Sequence, residues 1–329
     1  MNIIVLYHAN CADGFGAAYA AWTVLGDTAE YRPVMYNTTP QLDDLVDKHV
    51  LIVDFSYDRE TLLRISKIAD SVLVIDHHAS AIAELCSDKS LFRGAAVSWT
   101  RHWGLVSRGD AQYSKPYMGE GVHLILNDAR SGAWLTWDFF HPTDPMVGGD
   151  DGLKFDTSIP KMIQHIDDHD RWQFKLSHTR EIVAALMSHP YDFDTWRNFE
   201  EDLEVSASHA IDEGTAILRA HDRVVEQLSA EVRMMIIAGY DVPVANAPYM
   251  YASDVAGALA QNYPFAATYH DTPAGRVFSL RRRTGDLDLS LVAKHYGGGG
   301  HPAAAGFTRQ HGWAGDVIDA IRAYAPHPQ

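Results

Sequence analysis

The 329-residue chain contains only two cysteines, Cys11 and Cys86. Two thiols make no disulfide framework, and the compartment expected from that usage is a reducing cytoplasm. Long hydrophobic runs are absent too. The opening apolar stretch, Asn2 to Tyr7, is six residues long and polar chemistry follows it, so neither a signal peptide nor a membrane span is expected. Positive charge is scarce: 27 Lys and Arg face 43 Asp and Glu, a net charge of −16. Phosphate neutralisation dominates binding to long nucleic acid, so this balance argues against a long duplex as partner. It leaves room for a small anionic substrate, provided positive charge is local and metal ions assist. There are no internal repeats and no low-complexity tract. Hydrophobic residues make up 47% and charged residues 21%, enough for ordinary cores, and the length suits two domains.

What the sequence does contain is a recurring arrangement in which a short apolar run stops at a group able to bind metal. Ser71-Val72-Leu73-Val74-Ile75 stops at Asp76-His77-His78. Asn2 to Tyr7 stops at His8, with Asp13 five residues later, and Val50-Leu51-Ile52-Val53 stops at Asp54. Runs of this length and β-branched content read as strands buried on both faces. Between them, Gly14 to Leu25 is Ala-rich and Arg59 to Ala69 spaces Leu62, Leu63, Ile65 and Ile68 along a helical face. Such βαβ alternation predicts a parallel sheet with right-handed crossovers. A histidine pair at one strand end is commonly a loop or capping feature. Three strand ends delivering carboxylates and imidazoles to one sheet edge are different, because buried charges need partners and ligands bind at the carboxyl ends of such strands. Divalent cations are the simplest partners.

The ordered motifs resemble the DHH phosphoesterase superfamily, which includes RecJ-type exonucleases, nanoRNA and pAp phosphatases, exopolyphosphatases and family II pyrophosphatases. The first reads His8-Ala9-Asn10-Cys11-Ala12-Asp13-Gly14-Phe15-Gly16, the second Asp54-Phe55-Ser56, the third Asp76-His77-His78 and the fourth Ile166-Asp167-Asp168-His169-Asp170-Arg171-Trp172. Near the C-terminus, Gly297-Gly298-Gly299-Gly300-His301-Pro302-Ala303-Ala304-Ala305-Gly306 is similar to the signature of the associated DHHA1 domain, and Ser279-Leu280-Arg281 to its basic strand. The resemblance implies an α/β protein. A parallel doubly wound sheet over residues 1–195 would carry the metals. A helical linker over 196–233 would lead to a smaller α/β substrate domain over 234–329, with the active cleft between the two.

It also implies site residues. Asp13, Asp54, His77 and Asp168 would hold one Mn²⁺ or Mg²⁺, and His8 with a bridging Asp54 the other. Asp76 would support a ligating imidazole, or itself ligate, and His78 would face the substrate phosphate. Asp54, His77 and His78 are thus the expected catalytic residues. Arg281, Arg283, Gly299, Gly300 and His301 would bind substrate, the arginines from one face of a strand and the glycines by bringing backbone amides to an anion ahead of a tightly packed helix. One departure stands out: relatives place two aspartates in the first motif, whereas Cys11 stands two before Asp13. Cys11 either packs in the turn or ligates through its thiolate, and the His8 site is expected to be the weaker of the two. Asp167 and Asp170 lie close enough to Asp168 to compete for its role.

The expected reaction is phosphoester hydrolysis in a short nucleotide, namely a nanoRNA, a linear dinucleotide or pAp, with a metal-bound hydroxide as nucleophile. The alternatives are a single-strand exonuclease, a polyphosphate or pyrophosphate hydrolase, and a non-catalytic nucleotide-binding protein with a degraded first metal site. A homodimer is compatible with the sequence. Residues 93–122, rich in aromatic and turn-forming residues, read as a surface loop or as a lid, and 144–158 as a loop.

Overall fold

The computed structural model describes residues 3–35, 38–86, 117–118, 122–141 and 159–316. Most of the 93–122 segment and the whole of 144–158 lie outside them. The chain divides into two units, residues 1–217 and 218–329.

The first unit is built on a six-stranded sheet in the order β2-β1-β3-β4-β6-β5. Strands β1 (Ile3–His8), β2 (Ala29–Val34), β3 (His49–Val53), β4 (Ser71–Asp76) and β6 (Val122–Leu126) run parallel, and the two-residue β5 (Tyr117–Met118) pairs antiparallel at the edge. Side-chain alternation explains why these runs are apolar throughout. Ile3, Val5, Leu51, Val53, Leu73 and Ile75 face one core, with Phe15 and Tyr19 of α1 (Ala12–Leu25), Leu135 of α4 (Gly132–Phe140) and Ile163 of α5 (Lys161–Asp170). Ile4, Leu6, Val50, Ile52, Val72 and Val74 face the other, against Leu62 and Ile65 of α2 (Arg59–Ser66) and Leu85 of α3 (Ala79–Leu85). Helices on both faces of a parallel sheet make the doubly wound architecture. Strand order reverses at β1, flanked by β2 on one side and β3 on the other, and that crevice is where ligands bind in such sheets.

The segment expected to be a linker begins inside this unit. After α6 (Thr179–Ser188), helix α7 (Phe193–Val205) buries Trp196 and Leu203 in the first core, and Ala210 of α8 (Ser208–Ala230) joins them. The division at Ile217 and Leu218 falls within α8.

The second unit holds another six-stranded sheet, in the order β11-β12-β10-β9-β8-β7. Its strands are β7 (Val232–Ile237), β8 (Tyr240–Asn246), β9 (Ala266–Thr272), β10 (Gly275–Arg281), β11 (Gly299–His301) and β12 (Ala304–Arg309). Only β8 and β9 pair in parallel. Helices α9 (Tyr249–Leu259) and α10 (Leu289–His295) accompany it, and Phe265, Phe278, Leu280, Leu289 and Phe307 form the core.

Two expectations fail here. The glycine run leads into a hairpin, not a helix: Gly299–His301 pairs with Ala304–Gly306. The alanine segment alternates, burying Ala305 and Phe307, which is a strand period. Gly300 sits at φ 138°, and a Cβ there would lie 2.5 Å from Ala305 Cα, so the glycine serves close strand packing. The arginine row is the second: β10 ends at Arg281, so Arg283 lies beyond the strand and alternation does not place it beside Arg281.

Candidate metal centre

Each cluster residue is placed by a strand end or a helix terminus. His8 ends β1, Asp54 follows β3 and His77 follows β4. Asp13 sits in the first turn of α1 and Asp170 in the last turn of α5. Around His77 Nε2, Asp54 Oδ1 lies at 3.2 Å, Asp13 Oδ2 at 3.4 Å and Asp170 Oδ2 at 3.5 Å. His8 Nδ1 lies 3.5 Å from Asp54 Oδ2. Asp13 and Asp54 are 1% exposed, well inside the range where an uncompensated carboxylate is costly. No Lys or Arg among the described residues pairs with them.

Local backbone explains how three carboxylates are held so close. Asp54 adopts a left-handed conformation, φ 60°, a strained geometry for a non-glycine residue of the kind found at functional sites. The N-terminus of α4 approaches from above: Gly132 N donates to Asp13 Oδ2 at 2.7 Å and Ala133 N to Asp13 Oδ1 at 2.8 Å. Helix N-termini favour anions, and this one anchors Asp13. A Cβ on Gly132 would lie 2.6 Å from Asp54 Cβ and Oδ1, so only glycine lets α4 come this near.

The fourth motif divides its labour among three aspartates. Asp167 Oδ1 accepts from Ser131 N at 2.7 Å, and Oδ2 from Arg130 at 3.3 Å; it braces the loop that carries the α4 N-terminus. Asp168, the expected ligand, is not brought to the cluster. Its carboxylate accepts from Lys175 N (2.8 Å), Leu176 N (3.1 Å) and Thr179 Oγ1 (2.6 Å), and so clamps the segment after α5. Asp170 is the member that reaches His77. Asp76 holds the imidazole of His78 rather than that of His77: Asp76 Oδ1 contacts His78 Nδ1 at 2.7 Å and accepts from the backbone of His77 and His78.

Electrostatics reflect the crowding. Burial, then Asp13, push Asp54 well above the usual carboxylate range, and the same causes raise Asp170 to about 7. Burial alone would lower His77, but Asp54, Asp13 and Asp170 outweigh it and hold the imidazole at about 10. Burial lowers His8 and leaves a neutral imidazole suited to ligation. Burial, together with Asp54 and Asp13, drives the Cys11 thiol far up, so it is protonated in this arrangement.

The donor set fits divalent cations. Both carboxylate oxygens of Asp54 and Nε2 of His77 are buried without a hydrogen bond, the expected signature of atoms whose partner is an ion. Ligand atoms of Asp13, His77 and Asp170 lie within 4.8 Å of one another, as do those of His8, Cys11 and Asp54, and those of Asp54, His77 and His78. Oxygens with imidazoles favour hard ions of the Mg²⁺ and Mn²⁺ kind.

In the second unit, Arg281 is largely desolvated, its Nε donating to Ser253 Oγ at 2.9 Å and its Nη1 to Leu280 O. Arg282 bonds Pro302 O and Gly285 O and is a fastener of the hairpin. Arg283 and His301 are exposed, and Gly299 and Gly300 lie in β11.

No family model matches the chain. An uncharacterised protein of Acanthamoeba polyphaga mimivirus is 26% identical over 92% of this chain, which spans 66% of that relative's length. RecJ of Thermus thermophilus, in complex with Mn²⁺, matches with a TM-score of 0.50 at 14% identity, covering 98% of this chain and 51% of RecJ. The chain has the α/β fold of RecJ. A pGpG-specific phosphodiesterase of Vibrio cholerae matches with a TM-score of 0.45 at 14% identity, over 98% of this chain and 96% of its own. In this fold the carboxylate and imidazole cluster sits at the strand-order reversal. Sequence reasoning missed Gly132, and it preferred Asp168 while leaving Asp170 open as a competitor. Among the described residues no helix is long and apolar enough to cross a membrane.

Proposed function

We propose that this protein is a divalent-metal-dependent phosphoesterase acting on short nucleotides such as nanoRNAs, linear dinucleotides or pAp. The observation that carries the reading is the convergence of Asp13, Asp54 and Asp170 within 3.5 Å of His77 Nε2, at the crevice of a DHH fold. The Mn²⁺ in the Thermus RecJ structure supports the ion, with Mg²⁺ as its natural substitute. One ion would take Asp13, Asp54, His77 and Asp170; a second would take His8 and Asp54, with Cys11 beside it. When bound, such ions polarise a phosphoryl oxygen and lower the pKa of water.

The chain's own residues do the positioning. Asp54 presents one oxygen toward His8 and the other toward His77, the geometry of a bridge. The α4 N-terminus fixes Asp13. Asp76 locks the His78 ring and, against the effect of burial, raises its basicity, which suits His78 to donate to a phosphate oxygen. Arg281, largely desolvated and oriented by its hydrogen bond to Ser253, is suited to an anionic group. The net charge of −16 favours small substrates over long nucleic acid.

The test is phosphate or nucleotide release with Mn²⁺ from a panel of short RNAs, linear dinucleotides, pAp and tripolyphosphate. Release from the short nucleotides that EDTA abolishes is expected; nucleotide binding without release would leave a non-catalytic binder. Arg281→Ala should raise KM roughly ten- to a hundredfold, the usual worth of a charge-assisted contact, with metal content unchanged.

A further inference from the structure

The segment after the fourth motif displays an aromatic surface next to the cluster. Asp170 reaches His77 from the end of α5, and Trp172 follows two residues later, so their Cα atoms are at most about 7.6 Å apart. Trp172 is 68% exposed. Its ring stands edge-on to Phe174 at 5.4 Å, and Phe174 edge-on to His169 at 5.8 Å. The backbone beneath is strained: Trp172, Phe174 and His178 have φ of 52°, 47° and 63°. A left-handed non-glycine residue costs roughly 1–2 kcal/mol, and helices ordinarily place glycine at the position Trp172 occupies. An indole left 68% exposed recovers little of that cost through burial.

The strain is nevertheless held firmly, and Asp168 holds it. Its carbonyl accepts from Gln173 N at 2.9 Å and Phe174 N at 3.4 Å, while its carboxylate takes Lys175, Leu176 and Thr179. A strained loop clamped by five hydrogen bonds to one buried aspartate, presenting a tryptophan within two residues of the metal cluster, has no counterpart in the unit's packing needs.

We infer that Trp172 is a stacking platform for a nucleobase adjoining the scissile phosphate. The inference rests on the phosphoesterase reading and narrows it: substrates carry a base, which excludes pyrophosphate and polyphosphate. Stacking is worth roughly 1–3 kcal/mol per base and tolerates any base, because each has a π-face. In an acidic chain it supplies affinity that general phosphate attraction does not.

Steady-state kinetics with Mn²⁺ on a linear dinucleotide and on its abasic analogue test the assignment. In Trp172→Ala the ratio of kcat/KM for dinucleotide over abasic analogue should fall about 5- to 150-fold, mainly through KM. Trp172→Phe should stay within a few fold of wild type. Trp172→Gly, which relieves the strained φ, should lose the same ratio while melting no lower than wild type. Equal losses on both substrates, an unchanged ratio, or a Phe variant as impaired as Ala would overturn the platform. Wild-type protein that cleaves the abasic analogue or tripolyphosphate as well as the dinucleotide would remove the platform and leave the phosphoesterase reading standing. Wild-type protein that cleaves no substrate with Mn²⁺ removes both.

Discussion

The cluster has two halves, and they are built differently. Around His77 the donors are three carboxylates. One of them, Asp13, is secured by the α4 N-terminus, and Asp167 in turn braces the loop before α4. Around His8 the neighbours are Asp54 and the Cys11 thiol, and Cys11, at the N-cap of α1, makes no side-chain capping bond. The first half is rich in oxygen and braced from outside. The second depends on a shared carboxylate and a soft atom. Outer partners commonly change metal affinity or activity by 10–100-fold, so the comparison teaches that the His77 half should fill first and the His8 half should be the tunable one.

The largest effect should come from the residue common to both. Asp54→Ala should abolish Mn²⁺-dependent turnover, a loss above about a hundredfold, with the circular dichroism spectrum preserved. Activity retained by the folded variant would remove Asp54 from the account.

A carboxylate buried away from the cluster gives the baseline for burial without a metal. Glu200 on α7 lies against Tyr19, and burial raises it to about 7 from 4.5. Its neutral form is therefore the one the fold prefers. Between about pH 4.5 and 7 the unfolded chain has lost this proton while the folded chain keeps it, so stability falls as pH rises through that window, by up to about 3 kcal/mol. Glu200→Gln should remove that slope and raise the melting temperature at pH 8 by several degrees. A variant with the same slope and melting temperature as wild type would contradict it.

The smallest effect addresses the weaker half. Cys11→Asp adds an oxygen beside His8 and Asp54, and hard cations prefer oxygen to thiol. A second Mn²⁺ should bind roughly tenfold more tightly by calorimetry, with activity at lower Mn²⁺. Unchanged affinity with a lower melting temperature would mean that Cys11 only packs, since an added buried carboxylate without a partner destabilises.

Much of this was legible in the chain. Strand ends at His8, Asp54 and Asp76-His77-His78 stood out because buried parallel strands are continuous apolar runs, and where a run stops is unambiguous. The choice among Asp167, Asp168 and Asp170 was not legible, because helix positions turn by about 100° each. Asp168 and Asp170 therefore point to nearly opposite sides, and only the docking of α5 decides which faces the sheet edge. Gly132 was hidden for a similar reason: its close approach to Asp54 belongs to tertiary packing. The glycine run suggested a loop and helix because its partner strand, Ala304–Arg309, reads as an alanine stretch of high helix propensity until pairing with β10 overrides it. Strand β2 went unnoticed because it is an edge strand, partly exposed and containing Pro33.

The central claim is that Asp170, and not Asp168, belongs to the metal centre. Mn²⁺ titration by calorimetry on wild type, Asp170→Asn and Asp168→Asn tests it most directly. The account predicts that Asp170→Asn loses the tighter site, while Asp168→Asn keeps wild-type Mn²⁺ stoichiometry and loses only order in the Trp172 loop. Tight Mn²⁺ binding retained by Asp170→Asn and lost by Asp168→Asn would contradict it.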